Sequence, residues 1–395
     1  MTRQRDLPTL NQMLLWFGAS VSIAEILTGA MLSPLGMSRG MAAIIIGHCI
    51  GAGILFQAGL IGAKSGLSAT ESFRISFGRQ GSYVFSLLNI LQLLGWAAVM
   101  IISGAKAMDG ITMQLAAYRN ETLWCLLIGA LIACWVLMGL KNIFRANAVV
   151  VTALFFAMLA LGWTVFSRNG APFAAPAQDL SFGGAVELNV AMSLSWLPLI
   201  SDYTRDLKNP TFGTFASVLS YFFGSILMYA IGLGSALYVG ATDIGAILAA
   251  SGLGLVTLFI AVFSTVVSSF LDAHSAGVSA VNIFPTANPK KIGLLVCVVS
   301  TTIAILTPMS AYESFLYLIG SVFAPLFAIL FVDFYIFGKR ATDYALDRGN
   351  MLLWLGGFIF YRLLLPYNSA LGVTAPVMLL IGAAAFICNR FKEKR

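Results

Sequence analysis

Charge is scarce in this chain. Asp, Glu, Lys and Arg make up 10% of its 395 residues, against about 25% in soluble domains. Hydrophobic residues make up 59%, and the mean hydropathy is +0.90. That is more apolar surface than a soluble fold hides, because the buried fraction levels off as chains grow. A soluble enzyme, a nucleic-acid-binding protein and a disordered chain are thereby excluded. Histidine is rarer still. His48 and His274 are the only two, and no Cys/His/Asp cluster surrounds either, which leaves nothing for a catalytic metal centre. The cysteines (Cys49, Cys125, Cys134, Cys297 and Cys388) lie in apolar runs without a CxxC pair. They read as small hydrophobic core residues, neither disulfides nor metal ligands. The sequence has no HExxH, no nucleophile–base constellation and no carboxylate cluster, so an integral-membrane enzyme is the remote alternative. It also lacks GxxxxGK[ST], and no loop has room for a nucleotide-binding cassette. No ATPase partner is required if transport runs on an ion gradient or on the substrate's own gradient. No small-residue cleavage site follows a short apolar core near the N-terminus, so no removed signal peptide is expected.

Long apolar runs are what the chain has in abundance. A membrane helix needs about 20 mostly apolar residues. Twelve such spans can be marked: 11–34, 39–63, 82–105, 121–140, 146–167, 187–201, 211–239, 247–273, 292–308, 312–337, 351–366 and 372–389. The predicted class is an all-α integral membrane protein with 12 transmembrane helices in a single domain over residues 1–395. Orientation follows from the basic residues, because cytoplasmic loops retain Lys and Arg. With both termini inside, Arg39, Lys106, Arg119 and Arg168 are outside and Arg362 is within a span; the other 18 of the 23 Lys and Arg are cytoplasmic. The +7 formal charge is thus a topological signal. It predicts a multi-pass protein of the inner (cytoplasmic) membrane, with the lipid bilayer and no nucleic acid as partner.

Two spans carry interruptions. The first reads WFGASVSIAEILTGAMLSPLG, with Gly18, Ala19, Ser20 and Ser22 near its middle and Glu25 beyond. The sixth reads ELNVAMSLSWLPLISDYTRD, where Ser193, Ser195 and Trp196 precede Pro198. Proline removes a helix hydrogen bond. Irregular backbone at membrane depth is tolerated only around a protein-lined cavity. Interrupted helices at matching positions of two repeats point to a transporter's binding site.

Four segments in order, IGAKSGLSATESFRISFG (61–78), LQLLGWAAV (91–99), SDYTRD (201–206) and FLYLIGSVFAPLFAILFVDFY (315–335), resemble the nucleobase–cation symporter 1 family. SSFLDAHSAGVSAVNI (268–283) makes the chain most similar to its hydroxymethylpyrimidine transporters and next to its cytosine permeases. The resemblance implies a five-plus-five inverted repeat of LeuT type (repeat one about 11–167, repeat two about 187–338) with two extra C-terminal helices, about 351–389. It also implies sodium as coupling ion, alternating access and no cofactor. The expected function is cation-coupled import of a pyrimidine-like compound, hydroxymethylpyrimidine, a thiamine precursor. A cytosine or other nucleobase permease is the alternative.

The candidate substrate-binding residues are Gln92, Trp96, Ser193, Ser195, Trp196, Asp272 and Glu25. Asn89, Gln92 and Trp96 are spaced i, i+3, i+7 and share a helix face. A flat heteroaromatic ring wants an aromatic surface and an amide that donates and accepts at its edge. The family contributes a Gln and a Trp from its third helix. Asp272 and Glu25 are intramembrane carboxylates, functional candidates by default. Asp272 stands where nucleobase carriers of the family often have Asn, which favours an aminopyrimidine over uracil. For Glu25, substrate binding, proton coupling and a structural hydrogen bond all remain open, and His48 reads as a satisfied helix–helix histidine. Asp202 with Arg205, and Asp333 with Lys339 and Arg340, read as gate or loop ion pairs. By resemblance, sodium sits between the carbonyls of Phe17 and Ser20 and the hydroxyls of Ser268 and Ser269.

Overall fold

The computed structural model describes residues 7–138, 140–167, 180–238, 246, 255–307, 312–367 and 369–393. Arg3, Arg5, Arg168, Lys394, Arg395 and the expected start of the eighth span at 247 lie outside the described residues, as do the side chains of Lys141 and Arg145. The described chain is almost wholly helical: α1 Thr9–Ser20, α2 Ile23–Met31, α3 Gly36–Ser65, α4 Ala69–Ser72, α5 Arg74–Ala116, α6 Glu121–Met138, α7 Leu140–Phe166, α8 Phe182–Ser195 and α9 Leu197–Thr204, followed by α10 Pro210–Tyr238, α11 Leu255–Ile283, α12 Pro289–Leu306, α13 Tyr312–Phe331, α14 Arg348–Leu364 and α15 Thr374–Glu393. Ten helices among these are long and apolar enough to cross a membrane, or eleven if the bent pair α1–α2 counts as one span. The expected eleventh span is the 17-residue α14.

Both expected interruptions exist. Between α1 and α2 the axis bends by 49°. The Ser20 hydroxyl bonds back to the Phe17 carbonyl (2.7 Å), and Val21 N–H closes on the same oxygen (3.1 Å). Ser22 then restarts the helix as N-cap, accepting from Glu25 N–H (3.3 Å). Ser-Ile-Ala-Glu is a capping-box sequence, yet the Glu25 carboxyl turns away to other partners. Between α8 and α9, Trp196 leaves the regular ladder and Pro198 sits in the first turn of α9, where its missing N–H does no harm. The carbonyls freed there find partners on α5: Gln92 donates to Ser195 O (3.0 Å) and Asn89 to Pro198 O (3.1 Å).

These broken helices are held at the centre of the bundle. Phe182–Thr204 is the most deeply buried span, while α6, α12 and α15 present apolar side chains outward, as lipid-facing helices do. Close approach needs glycine. A Cβ on Gly29 would strike the Tyr229 backbone, and one on Gly232 the Ile26 carbonyl, so α2 and α10 touch backbone to backbone. Cys125 and Cys297 are buried as expected; Cys49, Cys134 and Cys388 are exposed on the apolar outside. An apolar environment suits a thiol whether it is core or lipid, which is why sequence could not separate the two.

Candidate functional site

The two breaks meet α5 and α11 around a small cavity, lined by Ser22, Ala24 and Glu25 from the first break, Met192, Ser195 and Trp196 from the second, Trp96 and Met100 from α5, and Ser268 and Asp272 from α11. Of the expected substrate residues, Glu25, Trp96, Ser195, Trp196 and Asp272 reach it. Gln92 and Ser193 do not line it. The Gln92 amide nitrogen is committed to Ser195 O and to Asn89 Oδ1 (2.9 Å), so Gln92 supports the second break. Its Oε1 is buried without a partner. Ser193 faces α3, where a Cβ on Gly51 would clash with it.

The cavity has unspent polar capacity. Among the described residues nothing donates to the Asp272 carboxyl, although its residue is only 4% exposed. The indole N–H groups of Trp96 and Trp196 also lack partners. Asp272 does not pair with His274, whose ring stacks on Phe270 (5.9 Å between centroids) and lies near Tyr203. An unpaired buried polar group costs about 1–3 kcal/mol. Several of them converging on one cavity are the mark of a ligand site. Trp96 is fixed edge-on against Phe315 (5.5 Å) and Tyr312 (6.0 Å), and Trp196 against Trp16 (5.6 Å). Glu25 accepts from Tyr221 (3.1 Å) and its Oε2 meets the Ser225 hydroxyl, so it is partly satisfied by α10.

Sequence reasoning missed Ser22, Ala24, Met100 and Met192 as walls. Met100 is four residues after Trp96 and Met192 four before Trp196, so helical periodicity carried that signal. Tyr221 and Ser225 carried none, being about 200 residues from Glu25.

Beside the cavity, the Ser268 hydroxyl lies 3.4 Å from the Ala19 carbonyl, and the Ser269 hydroxyl is buried with no partner. The expected carbonyls of Phe17 and Ser20 are otherwise engaged, Phe17 O by Val21 N–H and the Ser20 hydroxyl, Ser20 O by Ser22 N–H (3.0 Å). The first-break carbonyl that the Ser268 hydroxyl reaches is that of Ala19. The donor set is all oxygen, which fits a hard cation.

Contacts among the described residues flank the cavity on both sides. Towards the N-terminus, Leu7 pairs with the 206–208 backbone, Gln12 donates to Tyr203 O (3.0 Å) and the Tyr203 hydroxyl to Leu271 O (3.2 Å). Asp202 does not pair with Arg205: its carboxylate caps α4 at Ala69 N–H (2.9 Å), while Arg205 reaches Glu71 (3.6 Å) and Asp206 (3.9 Å). Burial alone would raise the Glu71 carboxyl, but the Ser68 hydrogen bonds and Arg205 together hold it below its ordinary value. Asp333 does pair with Lys339 (2.7 Å), while Arg340 covers the Phe334 ring. At the far end the Tyr312 hydroxyl meets Thr28 (2.9 Å) and Phe315 leans on Trp96.

A family profile described as permease for cytosine/purines, uracil, thiamine, allantoin matches residues 2–351. The chain belongs to this family, the nucleobase–cation symporters. Relatives include the cytosine permease of Escherichia coli (strain K12), 24% identical over 79% of this chain and 74% of that one, and the hydantoin permease of Microbacterium maritypicum, 23% identical over 91% and 79%. A nucleobase-cation-symport-1 family transporter, solved in a closed conformation with bromovinylhydantoin bound, superposes with a TM-score of 0.80 over 99% of this chain and 94% of that one, at 18% identity. A sodium-coupled sialic acid symporter shares the fold more distantly, with a TM-score of 0.68 over 97% and 88% at 15% identity. This family member is a multi-pass membrane transporter and not an enzyme.

Proposed function

We propose that the protein imports a pyrimidine-like compound, hydroxymethylpyrimidine, across the cytoplasmic membrane in symport with sodium, with both termini inside. The observation that carries the substrate is Asp272, a buried carboxyl with no protein donor, set between Trp96 and Trp196. Ring faces stack on the indoles. The ring's exocyclic amine donates to Asp272, a charge-assisted bond if the ring is protonated. Glu25 accepts from the 5-hydroxymethyl group. Ser195 supports the second break beside the ring, and Gln92 holds that break in place through its carbonyl. Sodium, the coupling ion, is held by Ala19 O with the Ser268 and Ser269 hydroxyls. Its seat joins the first break to α11, so filling it favours the closed pocket from which substrate is carried. Cytosine is the second reading, favoured by the cytosine permease relatives; its amine offers Asp272 the same donor.

Competition for binding tests the assignment. With an amine donor bound, Asp272 is held as a carboxylate, which accepts hydrogen bonds and cannot donate, so uracil, which would face it with a carbonyl, should compete roughly ten- to hundredfold more weakly than the aminopyrimidines. Asp272→Asn both donates and accepts and should narrow that gap. Equal competition by uracil in wild type, or an unchanged ranking in Asp272→Asn, would remove Asp272 from the site.

A further inference from the structure

Behind the pocket wall, Glu25 of α2, Ser225 of α10 and His48 of α3 form a hydrogen-bonded row, with exposures of 1%, 0% and 1%. His48 Nδ1 lies 2.8 Å from the Ile44 carbonyl. A carbonyl only accepts, so Nδ1 carries a hydrogen. His48 Nε2 lies 2.6 Å from Ser225 Oγ, and Ser225 Oγ in turn contacts Glu25 Oε2. The Glu25 Oε1 atom accepts from the Tyr221 hydroxyl.

Counting hydrogens along this row leaves two consistent arrangements. In the first, Glu25 is a neutral acid donating to Ser225, and Ser225 donates to bare Nε2. In the second, Nε2–H donates to Ser225, and Ser225 donates to ionised Glu25. With no added proton, the single Ser225 hydrogen serves two acceptors and one contact is acceptor against acceptor. With two, both neighbours donate, the Ser225 hydrogen must turn to Tyr221, and the buried row carries a net positive charge. Each consistent arrangement is neutral overall, and each holds one proton. Without ligand the uncharged form is favoured, because an ion pair bears two desolvation penalties.

We propose that Glu25, Ser225 and His48 share this one proton, and that a substrate amine or hydroxyl bonding to Glu25 draws it to His48. The Glu25 Oε2–H bond breaks as the Ser225 hydroxyl takes that proton and passes its own to Nε2. The carboxylate so formed accepts the substrate's donor, and the charge is balanced inside the protein. His48 and Ser225 are positioning residues acting through Glu25. The shift onto a bound pyrimidine rests on the function proposed above; the shared proton does not. Other groups facing the row are Tyr221 and Tyr229 from α10, Tyr312 from α13 and, across the pocket, Asp272 from α11; α5 brings Trp96 and Met100 and α8 brings Asn189 beside His48. The Tyr229 ring stands edge-on to His48 (4.9 Å). Among the described residues no Lys or Arg pairs with Glu25.

Two spectroscopic readouts test this. With two histidines in the chain, 15N-histidine labelling plus His274→Gln isolates the His48 ring. Infrared difference against Glu25→Gln isolates the Glu25 carboxyl. In the free protein His48 should show hydrogen on Nδ1 alone and Glu25 a protonated-acid band, both unchanged across about pH 5–8, where an ordinary histidine titrates. Hydroxymethylpyrimidine should abolish the acid band and turn His48 into imidazolium, with no proton released to buffer; uracil should do neither. In His48→Gln the proton must leave for bulk water, so affinity should rise up to about tenfold per pH unit, while wild type stays flat. An ionised Glu25 beside a neutral His48 in the free protein overturns the shared proton. Bound hydroxymethylpyrimidine that leaves both signals unchanged overturns the transfer. If the free-protein signature is present and no pyrimidine binds, the relay stands and the pyrimidine reading falls.

Discussion

Trp96 packs against Tyr312 and Phe315 and lines the cavity, where a bound ring would stack on it. Stacking of a nucleobase-like ring on an aromatic side chain is worth about 1–3 kcal/mol. Trp96→Ala should therefore weaken binding of hydroxymethylpyrimidine roughly five- to hundredfold by isothermal calorimetry, and Trp96→Phe by less. Alanine and phenylalanine variants that both bind like wild type would make Trp96 a packing residue. Four of the expected residues that line the cavity share one property. Trp96, Trp196, Glu25 and Asp272 are rare residue types at membrane depth, so chemistry alone singles them out. Gln92 is equally rare there, yet its amide serves the Ser195 carbonyl, an acceptor that exists only because the second helix is broken. Ser268 meeting Ala19, and Glu25 meeting Ser225, are contacts across about 250 and 200 positions, and no local pattern encodes them.

At the scale of elements, apolar length and the break signals were enough to place the helices, because lipid leaves a helix no other way to satisfy its backbone. Ends were harder. The α5 segment runs on to Ala116, well past the apolar stretch 82–105, and near its start the chain breaks at Gly78, whose φ of +72° is not helical. One clasp between elements was invisible. Glu187 at the start of α8 accepts from the Val373 N–H (2.6 Å), the Thr374 N–H (2.8 Å), the Thr374 hydroxyl (2.6 Å) and the Tyr361 hydroxyl. It caps α15 from another helix, with its charge at the positive end of that helix. Glu187→Ala strands these donors and should destabilise the protein by on the order of 3 kcal/mol, read as a lower melting temperature in detergent; an unchanged melting temperature would show the clasp to be idle. The sodium seat also lies between elements. Ser268→Ala with Ser269→Ala should leave the melting temperature without ligand near wild type and remove the sodium dependence of substrate binding. Sodium dependence that survives the double change would place the ion elsewhere.

For the whole molecule, contacts between helices cross the bundle on both sides of the pocket. Leu7, Gln12 and Tyr203 seal one side through backbone bonds, and Tyr312 with Phe315 seals the other through side chains. The seals are unequal. The first ties α1 and α9 together by main chain, while the second is two aromatic side chains at the start of α13, beside residues 308–311 outside the described set. With both termini inside, as proposed above, import requires Tyr312 and Phe315 to part first and the Leu7–Leu207 pairing afterwards. The central claim is best tested by uptake of labelled hydroxymethylpyrimidine into proteoliposomes, with an inward sodium gradient and with potassium in its place. Accumulation above equilibrium that needs sodium, is blocked by excess unlabelled hydroxymethylpyrimidine and is spared by uracil is the predicted result. No accumulation under either gradient, or accumulation inhibited equally by uracil, would contradict the account.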